Sequence, residues 1–546
     1  ALEQFSRYLP TSIPMAIGTP PSDPNTRELL VPPEKTWDVI RQLGPGLIIA
    51  ASIVGSGELI ATTLTGARSG LSLLWLILLG CVVKVFAQIE IGRFTVATGI
   101  PPLSAMSLIP GPRIQRRGNW LVWYWFFMWF CSIGQLGGIV GGVGQVLSLV
   151  QPLTQQGVDY QRIGSMEAKL KLDLVAARSK NAQSSSVAVP DNQGVSELES
   201  AKQEYIQRYG SPNGSLGKSL PRPIDDRLWA IPIAVITSAM LIYGSYGLIQ
   251  SAATAMVAIF TFITMAVVAA MQWKPEWSIP ASEWMRGLSF GLPEGERAKS
   301  ISMALATVGI IGVGAAELIQ YPYWCIEKGY ARFTGPNDGT EDWIGRARGW
   351  LRVMKVDIWV SMVIYTAATL GFFVLGAGIL HRSGIVPESS NLIQTLSVMY
   401  KPFLGSWAPP IYLIGAFVVL YSTFFVANAS HARTFTDGLS VLHVIGPDAA
   451  TQTRSVHILS GLFPMLCLLV YWILPEPAWL VLLSGSAQAV MLPMLGFAAL
   501  YFRYAMSVPQ LRSGRWFDIG LWGSVLLLFA IGISNLFFEF LKFSGP

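Results

Sequence analysis

The chain has 546 residues, of which 52% are hydrophobic and only 13% charged, with a formal net charge of +6. That is too little charge for the surface of a soluble protein of this size, and apolar runs of the roughly 20 residues that cross a bilayer recur along almost its whole length. The lysines and arginines are not interleaved with base-stacking aromatics, which argues against nucleic acid, and the four cysteines (Cys81, Cys131, Cys325, Cys467) fall in or beside apolar runs, with no CxxC metal spacing or disulfide framework.

In chain order, Ala1–Gly44 is polar and proline-rich, has no apolar core beside a cleavage site, and reads as a cytoplasmic tail rather than a secretory signal. Residues 45–150 hold the first three spans, 151–227 a polar insert, and 228–546 the remaining spans. The expected spans are 45–66, 70–92, 119–150, 229–246, 248–272, 301–326, 355–380, 410–431, 456–474, 478–502 and 517–541. Each is expected to be helical, because a segment in lipid must satisfy its own backbone amides. The fold class is an all-α polytopic membrane protein.

With the N-terminus inside, Arg113, Arg116 and Arg117, then Lys328, Arg332, Arg346, Arg348, Arg352 and Lys355, then Arg503, Arg512 and Arg515 fall in cytoplasmic loops. That satisfies the positive-inside rule with the N-terminus cytoplasmic; the plasma (inner) membrane is the expected location. The insert then lies outside, with two helix-like stretches (SMEAKLKLDLVAARSKNAQ and VSELESAKQEYIQRYG) joined by QSSSVAVPDNQG. It reads as a loosely folded hairpin or as a docking surface for a partner protein. The loop 273–300, with Trp273, Trp277, Trp284 and Phe290, is expected to lie along the outer interface.

Two short stretches carry the chemistry. VGSGELI (Val54–Ile60) and VGAAELI (Val313–Ile319) each place one glutamate, Glu58 and Glu317, inside an apolar span. Glycine costs about 1 kcal/mol relative to alanine in a helix, so Gly55 and Gly57 suggest an interruption. Gly55 lies about 15 Å along a helix beginning at Pro45, near the bilayer midplane. The second motif has a similar depth in the sixth span, which runs the opposite way. Interrupted helices at matching places in inverted halves are a pointer to a transporter's substrate site. A carboxylate from each half would bind a cation there, metal, proton or both in turn. The plainer reading of each glutamate is a helix–helix hydrogen bond, or a partner for Lys84.

At these residues the chain resembles a known family. GPGLIIAASIVGSGELIATTLTGARSGLSLLWLILLG (Gly44–Gly80) is similar to the first two helices of the natural-resistance-associated macrophage proteins, proton-coupled importers of divalent metal with the LeuT-type fold. YGSYGLIQSAATAMVAIFTF and QAVMLP extend the likeness. It implies a 5+5 inverted repeat of about eleven helices, the first and sixth broken at midplane. The family's Asp-Pro-Gly-Asn becomes Gly55, Ser56, Gly57 and Glu58, and its methionine, proline and histidine become Leu318, Ile319 and Gln320. Gly485 stands where the family's tenth-helix glutamine aligns, with Gln488 one turn on. Backbone carbonyls near Ser52 and Ala315 would be inherited as ligands.

The candidate metal set is therefore Glu58, Glu317, Ser52, Gly55, Ala315, Gln320 and Gln488, with Tyr321 or Tyr323 as further oxygens. Such hard oxygen donors suit Mg²⁺, Mn²⁺ or Ca²⁺. A proton held between the two glutamates until the cation arrives would couple the two fluxes. Lys84, Glu90, Arg93 and Asp357 are the other candidates for a proton route, or for an inner-gate ion-pair network, and His431 for a proton shuttle, or for a contact with headgroups or water. His431 is read as ending the eighth span, and Gln135, in SIGQLGGIVGGVGQ, as part of a close-packed small-residue face.

Neither a phosphate-binding loop nor a catalytic constellation is found, so the chain reads as neither enzyme nor cofactor-binding protein. The leading expectation is a proton-coupled secondary transporter of a hard divalent cation, embedded in lipid. Its rivals are a non-transporting membrane subunit acting through the 151–227 insert as sensor or scaffold, and a transporter of an organic cation or amino acid.

Overall fold

The computed structural model describes residues 29–114, 117–181, 192–210, 220–243, 246–293, 297–389 and 391–544. Among them, nine helices are long and apolar enough to cross a membrane, and the bent pair at the start makes a tenth. Tyr246–Gln272, the fifth expected span, is helical, with Val257–Gln272 as its apolar part.

The first span is Pro45–Ile53, a π-helical stretch Val54–Thr62, and Thr63–Ser69. At Gly55–Gly57, where an interruption is expected, the winding widens to π-helical and the span bends by 40°. The second span comprises Leu74–Val82 and Val85–Thr98, with Val83–Lys84 as a short irregularity between them. An antiparallel strand pair, Arg113–Ile114 with Arg117–Asn119, leads into the third span, Trp120–Val150. Asn119 caps it, accepting from the Val122 amide and donating to the carbonyls of Met106 and Ile109.

The sixth span consists of Arg297–Ile310 and Ala315–Lys328, separated by four non-helical residues. The seventh is Glu341–Leu375, the eighth Ala408–Val441, the ninth Ala449–Ile473, the tenth Pro477–Tyr501 and the last Arg515–Ser544. The last exposes Trp522, Leu526, Phe529, Ile533, Phe537 and Phe540 at helical spacing, an apolar stripe suited to lipid.

Glycines set the closest approaches. A methyl on Gly309 would lie 2.1 Å from the Gly485 carbonyl oxygen, and one on Gly485 2.4 Å from that of Ala306, so the sixth and tenth spans meet backbone to backbone. A methyl on Gly55 would lie 2.2 Å from Thr423 Oγ1, and one on Gly57 2.9 Å from the Ile310 carbonyl oxygen. The glycines of the first motif thus admit the eighth and sixth spans to close range.

The insert holds two helices, Gln155–Asn181 and Asn192–Tyr209; the expected linker between them lies outside the described residues. Ile163, Leu198 and Tyr205 form a small core of their own. Glu167 pairs with both Lys171 and Lys202 at 2.8 Å, and Asp159 accepts from the Tyr209 hydroxyl at 2.7 Å. Gln161 donates to the Ser148 carbonyl, and Gln394 to that of Gln161, so the pair is seated on the end of the third span. In the loop after the fifth span, the helix Ala281–Leu288 lies against Leu71 and Leu74 at Gly287. Arg382 fastens it through Glu283.

Candidate functional site

The centre of the site is the interruption Ile311–Gly314. Gly312 has φ +57, a left-handed conformation that favours glycine, and it ends the first half of the sixth span. An unbroken helix would pair the Val308 carbonyl with the Gly312 N–H. Here the two groups find separate side-chain partners. Lys84 Nζ donates to the carbonyls of Val308 and, at 2.7 Å, Ile311. Gly312 N–H donates to Glu58 Oε1 at 2.9 Å. A lysine from the second span and a glutamate from the first thereby replace one lost helical hydrogen bond.

Thr369 Oγ1, on the seventh span, donates to the same Glu58 Oε1 at 3.0 Å. Glu58 is fully buried, and its Oε2 has no hydrogen-bond partner. Glu317 follows the interruption by three residues, and its Oε2 is likewise buried and unpartnered. A methyl on Gly314 would lie 2.4 Å from Glu317 Oε2 and 2.8 Å from Gln488 Oε1, so two oxygens gather over the bare backbone of that glycine. The helix–helix hydrogen bond foreseen as the plainer role of Glu58 therefore exists, but it uses only one of its oxygens.

Gln488 bridges two layers. Its Oε1 accepts from the Ala316 amide at 3.1 Å, and its Nε2 donates to Gln135 Oε1 at 2.9 Å. Ser484 donates to the same Gln135 oxygen at 2.7 Å. Gln135 is thus a hydrogen-bonding residue behind the site as well as a member of a glycine-rich face, a role missed from its flanking glycines. Thr369 was also missed. A threonine in an apolar helix ordinarily bonds back to its own helix, as Thr369 also does to Tyr365, so no pattern marks it.

The other expected ligands differ in their partners. Gly55 N–H donates to Thr423 Oγ1, and Ser52 Oγ is buried without a partner. Ala315 begins a helix, so the carbonyls released by the interruption are those of Val308–Ile311 rather than its own. Gln320 Nε2 is 3.5 Å from His431 Nδ1, while its Oε1 is buried without a hydrogen-bond partner. Tyr321 donates to Asp357 Oδ2, and Tyr323 to Asp437, so both hydroxyl protons are committed to carboxylates. No group of three or more His, Cys, Asp or Glu side chains is arranged to hold a metal ion among the described residues. An ion here would need carbonyl, amide and water oxygens beside the two carboxylates.

The expected Lys84–Glu90–Arg93–Asp357–His431 set does not form one network. Glu90 pairs with Arg93 at 2.8 Å and Arg503 at 3.3 Å, and Arg503 reaches Asp518 at 2.5 Å. Asp357 instead accepts from the amides of Gly44 and Gly46 at the start of the first span, where a helix N-terminus favours an anion. His431 is buried, ten residues before the end of a helix that continues to Val441, so it does not end the eighth span. Lys84 stands apart at the interruption.

A family model described as natural resistance-associated macrophage protein-like (Nramp) matches residues 214–538, more than half of the chain. The match begins after most of the insert and so leaves out Gly44–Gly80. A comparison with curated proteins finds no match. Two mutant forms of the Eremococcus coleocola manganese transporter are similar in structure. One is 13% identical, with TM-score 0.57, covering 95% of this chain and 91% of that one. The other is 12% identical, with TM-score 0.57, covering 98% of this chain and 92% of that one. The fold is the LeuT-type helical arrangement shared with those structures.

Proposed function

The chain belongs to the Nramp family, and we propose that it is a secondary active transporter of a divalent metal cation, with Glu58 and Glu317 as the carboxylate ligands. One observation carries the reading: two buried carboxylate oxygens, Glu58 Oε2 and Glu317 Oε2, lack partners at one helix interruption. A carboxylate placed in a membrane interior is costly, and such residues line ion paths. Manganese, which the similar structures are named for carrying, is the natural probe ion. The two carboxylates are hard oxygen donors, which favour hard cations over softer ones.

Alternating access would move the ion between the two sides of the first and sixth spans. A proton exchanged for the metal on the paired glutamates would couple the fluxes, with the N-terminus cytoplasmic and the insert outside. The test is Mn²⁺ uptake into proteoliposomes holding the full chain. Glu58→Gln and Glu317→Gln should each abolish uptake while leaving a monodisperse, folded protein. Unchanged uptake in both variants would overturn the reading.

A second reading has one observation in its favour. Lys84 already sits on carbonyls that an ion could use, and a site closed in this way would suit a non-transporting membrane subunit. Absence of Mn²⁺ uptake by the unmodified protein, with a stoichiometric partner lost on deleting residues 151–227, would select it.

A further inference from the structure

Lys84 is fully buried in the membrane part of the molecule, yet its hydrogen-bond partners are backbone carbonyls rather than carboxylates. Those carbonyls belong to the C-terminal end of the half-helix Arg297–Ile310, where the summed peptide dipoles leave about half a negative charge. Converging carbonyls at such an end, opened by a backbone interruption inside a membrane, have the chemistry that holds a small monovalent cation. Glu58 reinforces it: its carboxylate binds the N–H of the peptide group whose C=O faces Lys84, so anion and ammonium hold opposite ends of the Ile311–Gly312 peptide.

We propose that Lys84 is a tethered resident cation. Its ammonium takes the place at the sixth-span interruption that a free alkali-metal ion would otherwise take, so the protein needs no sodium or potassium ion to hold this backbone together. The local geometry favours such a role. Val83–Lys84 is the point where the second span departs from regular helix, which delivers the side chain to the interruption. Ser524 Oγ donates to the Val83 carbonyl, so the irregular turn is supported from the last span. Removing the ammonium would leave the carbonyls of Val308 and Ile311 without a donor, at a cost comparable to that of buried unsatisfied polar groups. A dehydrated small cation could fill the space, with those two oxygens as ligands and Glu58 as its counter-charge.

The inference rests on the helix interruption and not on the identity of the cargo, and its test reads heat stability rather than transport. The full chain, purified in detergent, is melted in sodium, potassium or choline chloride at one ionic strength. The unmodified protein should melt at the same temperature in all three. Lys84→Ala should melt lower in choline and recover in a saturable way with sodium or potassium. Lys84→Arg, which keeps a cation at the site, should stay indifferent to the salt. Should Lys84→Ala fail to fold, Lys84→Gln, whose amide can satisfy one carbonyl, serves in the same titration. Indifference of both uncharged variants to alkali cations would overturn the proposal, as would an unmodified protein whose stability already depends on sodium or potassium.

Discussion

Asp357, on the seventh span, accepts the Gly46 amide at 2.5 Å with one oxygen and the Gly44 amide at 3.0 Å with the other. The seventh span thereby holds the first span by its opening turn, and Tyr321 of the sixth shares the same carboxylate. Asp357→Asn keeps the shape but loses charge at a helix N-terminus, an interaction worth roughly 1 kcal/mol. The expected outcome is a lower melting temperature, with faster hydrogen exchange at Gly44 and Gly46 and none at the insert. An unchanged exchange rate at these two amides would contradict the assignment.

Gln135 is expected to act on the site through Gln488. Gln135→Leu leaves Gln488 Nε2 with only the longer bond to Ser484 Oγ at 3.2 Å, so Gln488 Oε1 is held less firmly on the Ala316 amide. In Mn²⁺ uptake, the half-saturating concentration should rise three- to tenfold, about the effect of a lost buried hydrogen bond worth roughly 1 kcal/mol. The maximal rate should change little. A fall in maximal rate alone would place Gln135 in the conformational step instead.

The close approaches predict opposite fates for similar substitutions. Gly309→Ala would push a methyl to 2.1 Å from a backbone oxygen that cannot rotate away. Overpacking of that kind costs roughly 1–3 kcal/mol or more. Gly345→Ala, in the seventh span with nothing within 4 Å of the added carbon, should be neutral or stabilising by up to about 1 kcal/mol. Melting temperatures of the two purified variants decide the matter.

The insert should respond to acid. The Tyr209 hydroxyl holds the Asp159 carboxyl below the usual carboxylate range. Burial raises Glu167, but Lys171 and Lys202 more than offset it, and its carboxyl also lies low. Groups lowered in the folded state stabilise it above the ordinary carboxylate pKa of about 4, and that contribution disappears as pH falls through the lowered values. Spin labels on the exposed faces of Gln155–Asn181 and Asn192–Tyr209 should therefore show one narrow separation at neutral pH and a broadened one once the pH falls below the ordinary carboxylate range. A distribution that stays narrow would mean that the apolar contacts of Ile163, Leu198 and Tyr205 hold the pair unaided.

Apolar run length made the helices legible, and the two glutamates stood out because lipid tolerates few charges. The ends of the eighth span did not. Hydropathy stops it at His431, yet the helix continues through Arg433 and Asp437, whose charges are satisfied by Glu327 and by Tyr323 and Ser104. A polar stretch buried against another helix looks like a loop until its partners are known. Gly55 and Gly57 signal an interruption because glycine weakens an isolated helix, and the span does bend there; that neighbouring spans also demand their small size is not legible in the sequence. The role of Lys84 was hidden for a further reason: its partners are carbonyls, which leave no trace in the side-chain sequence.

The wide winding of Val54–Thr62 has a mechanical consequence. A stretch coiled more loosely than an ordinary helix contains slack that can be taken up by tightening. Each residue drawn back into standard winding turns everything beyond it by the difference between the two windings, on the order of 10–20° around the axis, and several such residues add up. Glu58, seated inside that stretch, would swing off Gly312 as the thread tightens, while the span's own backbone bonds are exchanged for new ones instead of being lost.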